Sequence, residues 1–135
     1  LVVRNTLFDY TKGDRPIALI RSTDEVLIED CMFIARDYEG VISVNAANAH
    51  TGTSKVKRIV LRNNKTEGTV RLRINKDDQM QWNDWLLDID MDTEGREVVI
   101  DAETGKVISD RPLNADARPE LIERVKADRK TYFGK

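Results

Sequence analysis

The chain has 135 residues, of which 40% are hydrophobic and 34% charged, with a formal net charge of −2. That balance describes one soluble domain able to bury a core, and it excludes a disordered chain and any bulk attraction to nucleic acid or anionic lipid. No apolar run is long enough to cross a bilayer as a helix, and the single cysteine, Cys31, excludes an internal disulfide. Neither a nucleic-acid nor a membrane partner is therefore expected, while secreted, periplasmic and cytoplasmic settings are all compatible.

Taken in chain order, the first element is "VVRNTLF" at 2–8. Nearly the same phrase returns as "VLIEDCMF" at 26–33 and as "IVLRNNKT" at 59–66. Each has an apolar residue, one intervening residue, then Asn or Asp: Val3-x-Asn5, Ile28-x-Asp30 and Leu61-x-Asn63. The spacings between these Asn/Asp positions are 25 and 33 residues. An aromatic residue follows the first two by three positions, at Phe8 and Phe33. A second apolar strand then follows a glycine: Gly13 before "PIALI", Gly40 before "VISV", Gly68 before "TVRLRI". Each repeat thus reads strand, corner, loop, glycine, strand, with β-branched residues in the strands and a period of two.

A repeat of this size predicts an array in which neighbours stack to bury a face that one unit cannot bury alone. The expected form is a parallel β-solenoid with coils about 4.8 Å apart. Asn and Asp at the corners tolerate unusual backbone angles, and an inward-turned amide there would bond the backbone of the next coil. Arg4, Glu29 and Arg62 fall between inward residues and should form one outward column of alternating sign, which avoids like-charge stacking. Cys31, just past a corner, is read as a small buried filler.

The phrases "VLIEDCMF" and "IVLRNNKTEG" resemble coils of the right-handed parallel β-helix, or pectin-lyase-like, superfamily. The resemblance runs from residue 1 to about residue 75 and extends in weaker form to residue 110. It implies a right-handed solenoid and, because most members handle polysaccharides, a carbohydrate ligand. The fold also hosts lyases, hydrolases, epimerases, phage tailspikes and adhesins, so it does not fix the reaction.

Beyond residue 75, "WLLDIDMDTEG" (85–95) alternates. In one register Leu87, Ile89 and Met91 face in and Asp88, Asp90 and Asp92 face out. In a second register Leu86-x-Asp88 is a fourth corner. The three aspartates resemble the start of a calcium loop, but Thr93 stands where that loop needs Gly and Val99 where it needs Glu. No cofactor or metal is therefore expected, with Ca²⁺ as the alternative at this one stretch. "EVVIDAETGKVISD" (97–110) predicts a β-hairpin turning at Gly105. Residues 111–135 change character. Asn114 or Asp116 can cap a helix, Pro119 suits its first turn, and Leu121, Ile122, Val125 and Tyr132 form a helical stripe.

The expected organisation is all-β: parallel β-helix coils and a hairpin over 1–110, then a linker and a capping α-helix over 111–135. "LVVRNTLF" is already a coil strand with no polar cap before it. Further coils are therefore expected to stack on residues 1–8, from a longer solenoid or from a partner chain, and tailspike-like members would form a homotrimer.

Elimination on a uronic acid needs a base and a cation that neutralises the carboxylate. The resemblance implies Lys or Arg on an outward strand face. Arg71 and Arg73 are the densest such pair, and Arg4, Arg21, Arg62 and Lys65 are the other cations. Hydrolysis would use paired carboxylates, and Asp24, Glu25, Glu29, Asp37 and Glu39 supply them without a distinguishing spacing. His50, in the polar stretch "NAANAHTGTSK", is a candidate general acid or base. Arg62, Trp82 and Trp85 are candidate sugar contacts, since aromatic faces stack on sugar rings. For each of these the plain alternative is a solvated charge, a loop histidine or a core tryptophan. The functional expectation is part of a polysaccharide-degrading enzyme, a lyase ahead of a hydrolase. The alternatives are a glycan-binding or structural β-helix, such as a tailspike or adhesin, and an end module whose catalytic groups lie in other coils.

Overall fold

The computed structural model describes residues 1–10, 18–20, 23–36, 39–44, 56–75 and 85–113. Among these the protein is all-β and contains no helix. The strands are β1 (Val2–Arg4), β2 (Leu7–Tyr10), β3 (Ala18–Ile20), β4 (Glu25–Glu29), β5 (Met32–Ala35), β6 (Gly40–Val44), β7 (Arg58–Arg62), β8 (Lys65–Glu67), β9 (Val70–Asn75), β10 (Trp85–Asp90), β11 (Arg96–Asp101) and β12 (Lys106–Pro112).

These strands build three sheets. The orders are β1-β4-β7-β11-β12, β2-β5-β8 and β10-β9-β6-β3, which we call sheets A, B and C. The chain visits A, B and C in the same order three times, and every pairing between these first nine strands is parallel. The repeated phrases fall into register: Val3, Ile28 and Leu61 align in sheet A. The repeat therefore has three strands where the sequence predicted two. The extra ones, β2, β5 and β8, are three or four residues long, too short for an alternating pattern to stand out from the corner before them.

Each passage from sheet A to sheet B turns on one residue. Asn5, Asp30 and Asn63 have φ of 49°, 52° and 51°, and they are the only non-glycine residues with positive φ among those described. The left-handed conformation crowds Cβ against the carbonyl, and short polar side chains bear it best. The ladder continues through the bend. The amides of Asn5, Asp30 and Asn63 donate to the carbonyls of Glu29, Arg62 and Arg96 at 3.3, 3.0 and 3.0 Å.

The side chains of these corner residues do not turn inward as expected. Asn5 and Asp30 are exposed and Asn63 half-buried, and Asn63 Nδ2 donates to Asp30 Oδ1 at 2.7 Å along the outside. The inward amide is the next residue, Asn64, which is fully buried. Its Oδ1 accepts from the Cys31 amide at 3.1 Å, and its Nδ2 donates to the Ile28 carbonyl at 3.0 Å and to Thr93 Oγ1 at 3.3 Å. A left-handed residue points its own side chain away from the bend, so the position after it faces the interior. Cys31 occupies that same position one layer earlier. It is buried, and burial raises its thiol pKa above the ordinary value.

The core lies between the three sheets. Val26, Ile28, Ile59 and Leu61 from sheet A meet Phe33 from sheet B and Ile42, Val44, Val70, Leu72 and Ile74 from sheet C. Phe8 and Phe33 stack with centroids 4.9 Å apart and ring planes 7° apart. Thr66 continues their column in β8.

Parallel pairing stops after β9. β10 runs antiparallel to β9, and β11 antiparallel to β7, with β12 closing the expected hairpin. Of the two registers expected for 85–95, the first is found. Leu87 and Ile89 sit opposite Ile74 and Leu72 and pack on the core, and Met91 is buried. A fourth corner at Asp88 is excluded, because Asp88 pairs with Arg73 inside a strand. β12 extends through Arg111 and Pro112, past the expected boundary at residue 110. The predicted helix lies in 114–135, outside the described residues.

Gly68 has φ of 80°, and a Cβ there would stand 2.0 Å from the Ala35 carbonyl oxygen. Gly95 has φ of 70° with nothing within 4 Å of that point. Gly68→Ala should cost about 3 kcal/mol or more and Gly95→Ala about 1 kcal/mol, the first from strain plus collision and the second from strain alone. Urea unfolding of both variants checks the order. Asn64→Ala removes the side-chain acceptor of the Cys31 amide and the side-chain donor to the Ile28 carbonyl, and should cost about 2–3 kcal/mol. Asn63→Ala should cost about 1 kcal/mol. Equal losses in the same assay would refute the inward role of Asn64.

Candidate functional site

Two groups of charged side chains occupy outward positions, and they differ in kind. The first is a column across sheet A. Arg4, Glu29, Arg62, Glu97 and Arg111 are cross-strand partners in that order. The sign alternation expected for the first three positions extends to all five. Arg4 Nε bonds Glu29 Oε1, Arg62 bonds Glu29 Oε2 at 2.9 Å, and Arg62 also pairs with Glu97 Oε2 at 2.5 Å. Arg111 closes the column on Glu97 Oε1 at 3.0 Å.

The column is outward, yet apart from Arg111 at its end its members are largely covered. The Glu29 side chain is 1% exposed and that of Arg62 12%. Carboxylates stacked between guanidiniums are shut off from water by their own partners, and the pairing offsets the desolvation. Burial pushes the Glu97 carboxyl up, but the hydrogen bonds and charges of Arg62 and Arg111 outweigh it and hold the pKa below the ordinary value. Arg62, expected as a sugar contact, therefore has its guanidinium committed to Glu29 and Glu97.

The second group lies on the outer face of sheet C. Along β9, Val70, Leu72 and Ile74 are buried, so Arg71 and Arg73 project to the other side. β10 brings Asp88 opposite Arg73 and Asp90 opposite Arg71. Arg71 Nε donates to Asp88 Oδ1 at 2.9 Å, and its Nη2 donates to the Asp88 carbonyl at 3.0 Å. Arg73 Nη2 donates to Glu39 Oε1 at 2.9 Å. Its Nε is buried and lies 3.4 Å from Asp88 Oδ1, near enough for charge attraction but not aligned for a hydrogen bond. The Arg73 guanidinium carbon stands 4.2 Å from the Trp85 ring centroid, a cation–π contact. On β6 next to Arg73, Ser43 Oγ accepts from Asn75 Nδ2 at 2.9 Å.

Of the residues singled out from the sequence, Arg71, Arg73 and Trp85 are thus brought together, and Arg62 stands apart on sheet A. His50, Trp82, Arg21 and Asp37 lie outside the described residues. Lys65 is exposed at the start of β8. Asp24 and Glu25 are exposed, and Asp24 acts through its carbonyl, which accepts from the Lys57 amide at 2.8 Å. Asp88 is the member that sequence reasoning missed. The signal was available: "RLR" at 71–73 and "DID" at 88–90 carry opposite charges two residues apart, a pattern that matches across an antiparallel pair.

The other two aspartates of that stretch have structural tasks. Asp90 Oδ1 accepts from the Asp92 amide at 2.9 Å, and Asp92 accepts from Thr66 and from the Glu94 amide. No group of three or more His, Cys, Asp or Glu side chains able to hold a metal ion occurs among the described residues. Among the described residues no helix is long and apolar enough to cross a membrane.

No protein-family model matches the chain, and no curated protein or solved structure matches it either.

Because the folded pKa of Glu97 is depressed, its stabilising effect is full above the unfolded value, about 4.3, and is lost as pH falls through the folded value. Glu97→Gln should cost about 2 kcal/mol at pH 7 and should flatten the acid limb of stability below about pH 4. Urea midpoints measured from pH 7 down to pH 3 check both effects.

Proposed function

We propose that the chain is part of a right-handed parallel β-helix that handles polysaccharide, with the outer face of sheet C as its glycan contact. Three circuits through the same three sheets, paired in parallel over the first nine strands and with aliphatic and left-handed corner positions in register, support the solenoid. The single observation that carries the function is the cluster of Arg71, Asp88, Arg73 and Trp85. It joins an indole with side-by-side hydrogen-bond donors and acceptors on a half-exposed strand face. Sugars need that combination: an apolar ring face to stack on, and partners for hydroxyls that both give and accept.

Binding is the role we assign to this face. An arginine that abstracts a proton must first lose its own. Both guanidiniums pair with Asp88, which fixes them as donors, so they orient a ligand rather than act as base. The described exposed large apolar residues lie on or beside edge strands: Leu1, Val2 and Leu7 at β1 and β2, and Val107 and Ile108 on β12. The edges of β1 and β2 would accept a further strand layer, from the same polypeptide or another chain.

Affinity electrophoresis through gels containing neutral and acidic polysaccharides tests the proposal, with the same mixtures analysed by mass spectrometry. Retardation by at least one polysaccharide is expected, weakened about tenfold by Trp85→Ala. No retardation by any of them would overturn the glycan contact. Products lighter by one water than hydrolytic fragments would make the protein a lyase and the arginine pair the next target.

A further inference from the structure

We infer that the sheet C cluster selects neutral sugar residues over uronates, a narrowing that rests on the glycan contact proposed above. The first ground is charge. Two guanidiniums, Arg71 and Arg73, face three carboxylates: Asp88 and Glu39, to which they are ion-paired, and Asp90, which stands opposite Arg71. The cluster therefore carries an excess negative charge although it holds the densest arginine pair in the sequence. A uronate carboxylate brought to either guanidinium would lie beside Asp88, which already occupies the space between them.

The second ground is hydrogen-bond geometry. The Arg71 fork is filled by Asp88, with Nε on the carboxylate and Nη2 on the backbone carbonyl. A carboxylate ligand would have to displace that bidentate partner. A vicinal diol would not, because one hydroxyl can donate to a carboxylate while its neighbour accepts from the adjoining guanidinium. The third ground is the indole. Arg73 covers one face of Trp85, so a stacking sugar must meet the other face. A neutral pyranose offers its C–H surface there without bringing a charge.

The test is residue-resolved NMR titration of the ¹⁵N-labelled chain in EDTA, so that no bridging cation carries the acids. The probes are cello-, manno- and xylohexaose on the neutral side, and hexagalacturonate and hexamannuronate on the acidic side. Shifts of the Trp85 indole and of the Arg71 and Arg73 Nε signals are expected with a neutral hexasaccharide at concentrations at least about tenfold below those needed for either uronate. Asp88→Asn should narrow or invert that ratio. Asp90→Asn, exposed and retaining its acceptor for the Asp92 amide, should narrow it without touching the paired centre. Uronates that bind as tightly as the neutral sugars, or an unchanged ratio in both variants, would overturn the selectivity and leave the glycan contact standing. Silence at these signals with all five probes would overturn both.

Discussion

The structure depends on one backbone constraint, the left-handed residue that ends each sheet A strand of the parallel stack. Asn5, Asp30 and Asn63 bend the chain at the same place in three successive layers while their amides stay in the ladder. A strand that overshot by one residue would reverse which side chains face the core. Because the bend is tied to a residue type, the register of everything after it is set locally. The Phe8–Phe33 stack, the buried Cys31 and Asn64, and the aliphatic rows all follow from that one recurring conformation. The stacked corners also share their outer polar groups, as the Asn63–Asp30 bond shows.

Once the inner positions are filled by aliphatic side chains, the outer ones decide what each sheet can do. On sheet A the charges close on one another, and the five-membered column ties neighbouring strands together. On sheet C the charges around Trp85 stay part-exposed, and β10 offers its aspartates diagonally as well as opposite. Arg71 reaches Asp88 across that diagonal. The same residue types thus make a seam on one face and a ligand-ready patch on another. The difference lies in which partners meet and how deeply they are covered rather than in composition.

Much of this was legible in the sequence, and what was not has identifiable causes. The corners, the in-register apolar rows, the Arg4–Glu29–Arg62 column, the hairpin and the inward set Leu87, Ile89 and Met91 all follow from alternation and spacing. The three short strands of sheet B were not legible, because three or four residues carry too little pattern. The inward amide was placed one position early, since the consequence of left-handed φ for side-chain direction is three-dimensional. Asp88 was read as one of several solvated acids, because its partners lie on a strand whose antiparallel pairing only the fold reveals. Arg71, Arg73 and Trp85 were legible as candidates, but their meeting was not.

The layers differ in length, yet their described strands stay in register. Arg4 and Glu29 are 25 residues apart, Glu29 and Arg62 are 33 apart, and both pairs occupy equivalent positions in one column. Register is set at the corners, so the pairing of the described strands is the same across both intervals. Such a scaffold separates two kinds of heritable change. Substitutions at inner positions are answerable to every neighbouring layer, whereas insertions between strands are answerable to none. Lineages built on this plan can diversify by indel while the core drifts slowly, and alignments that penalise gaps heavily will underestimate their kinship.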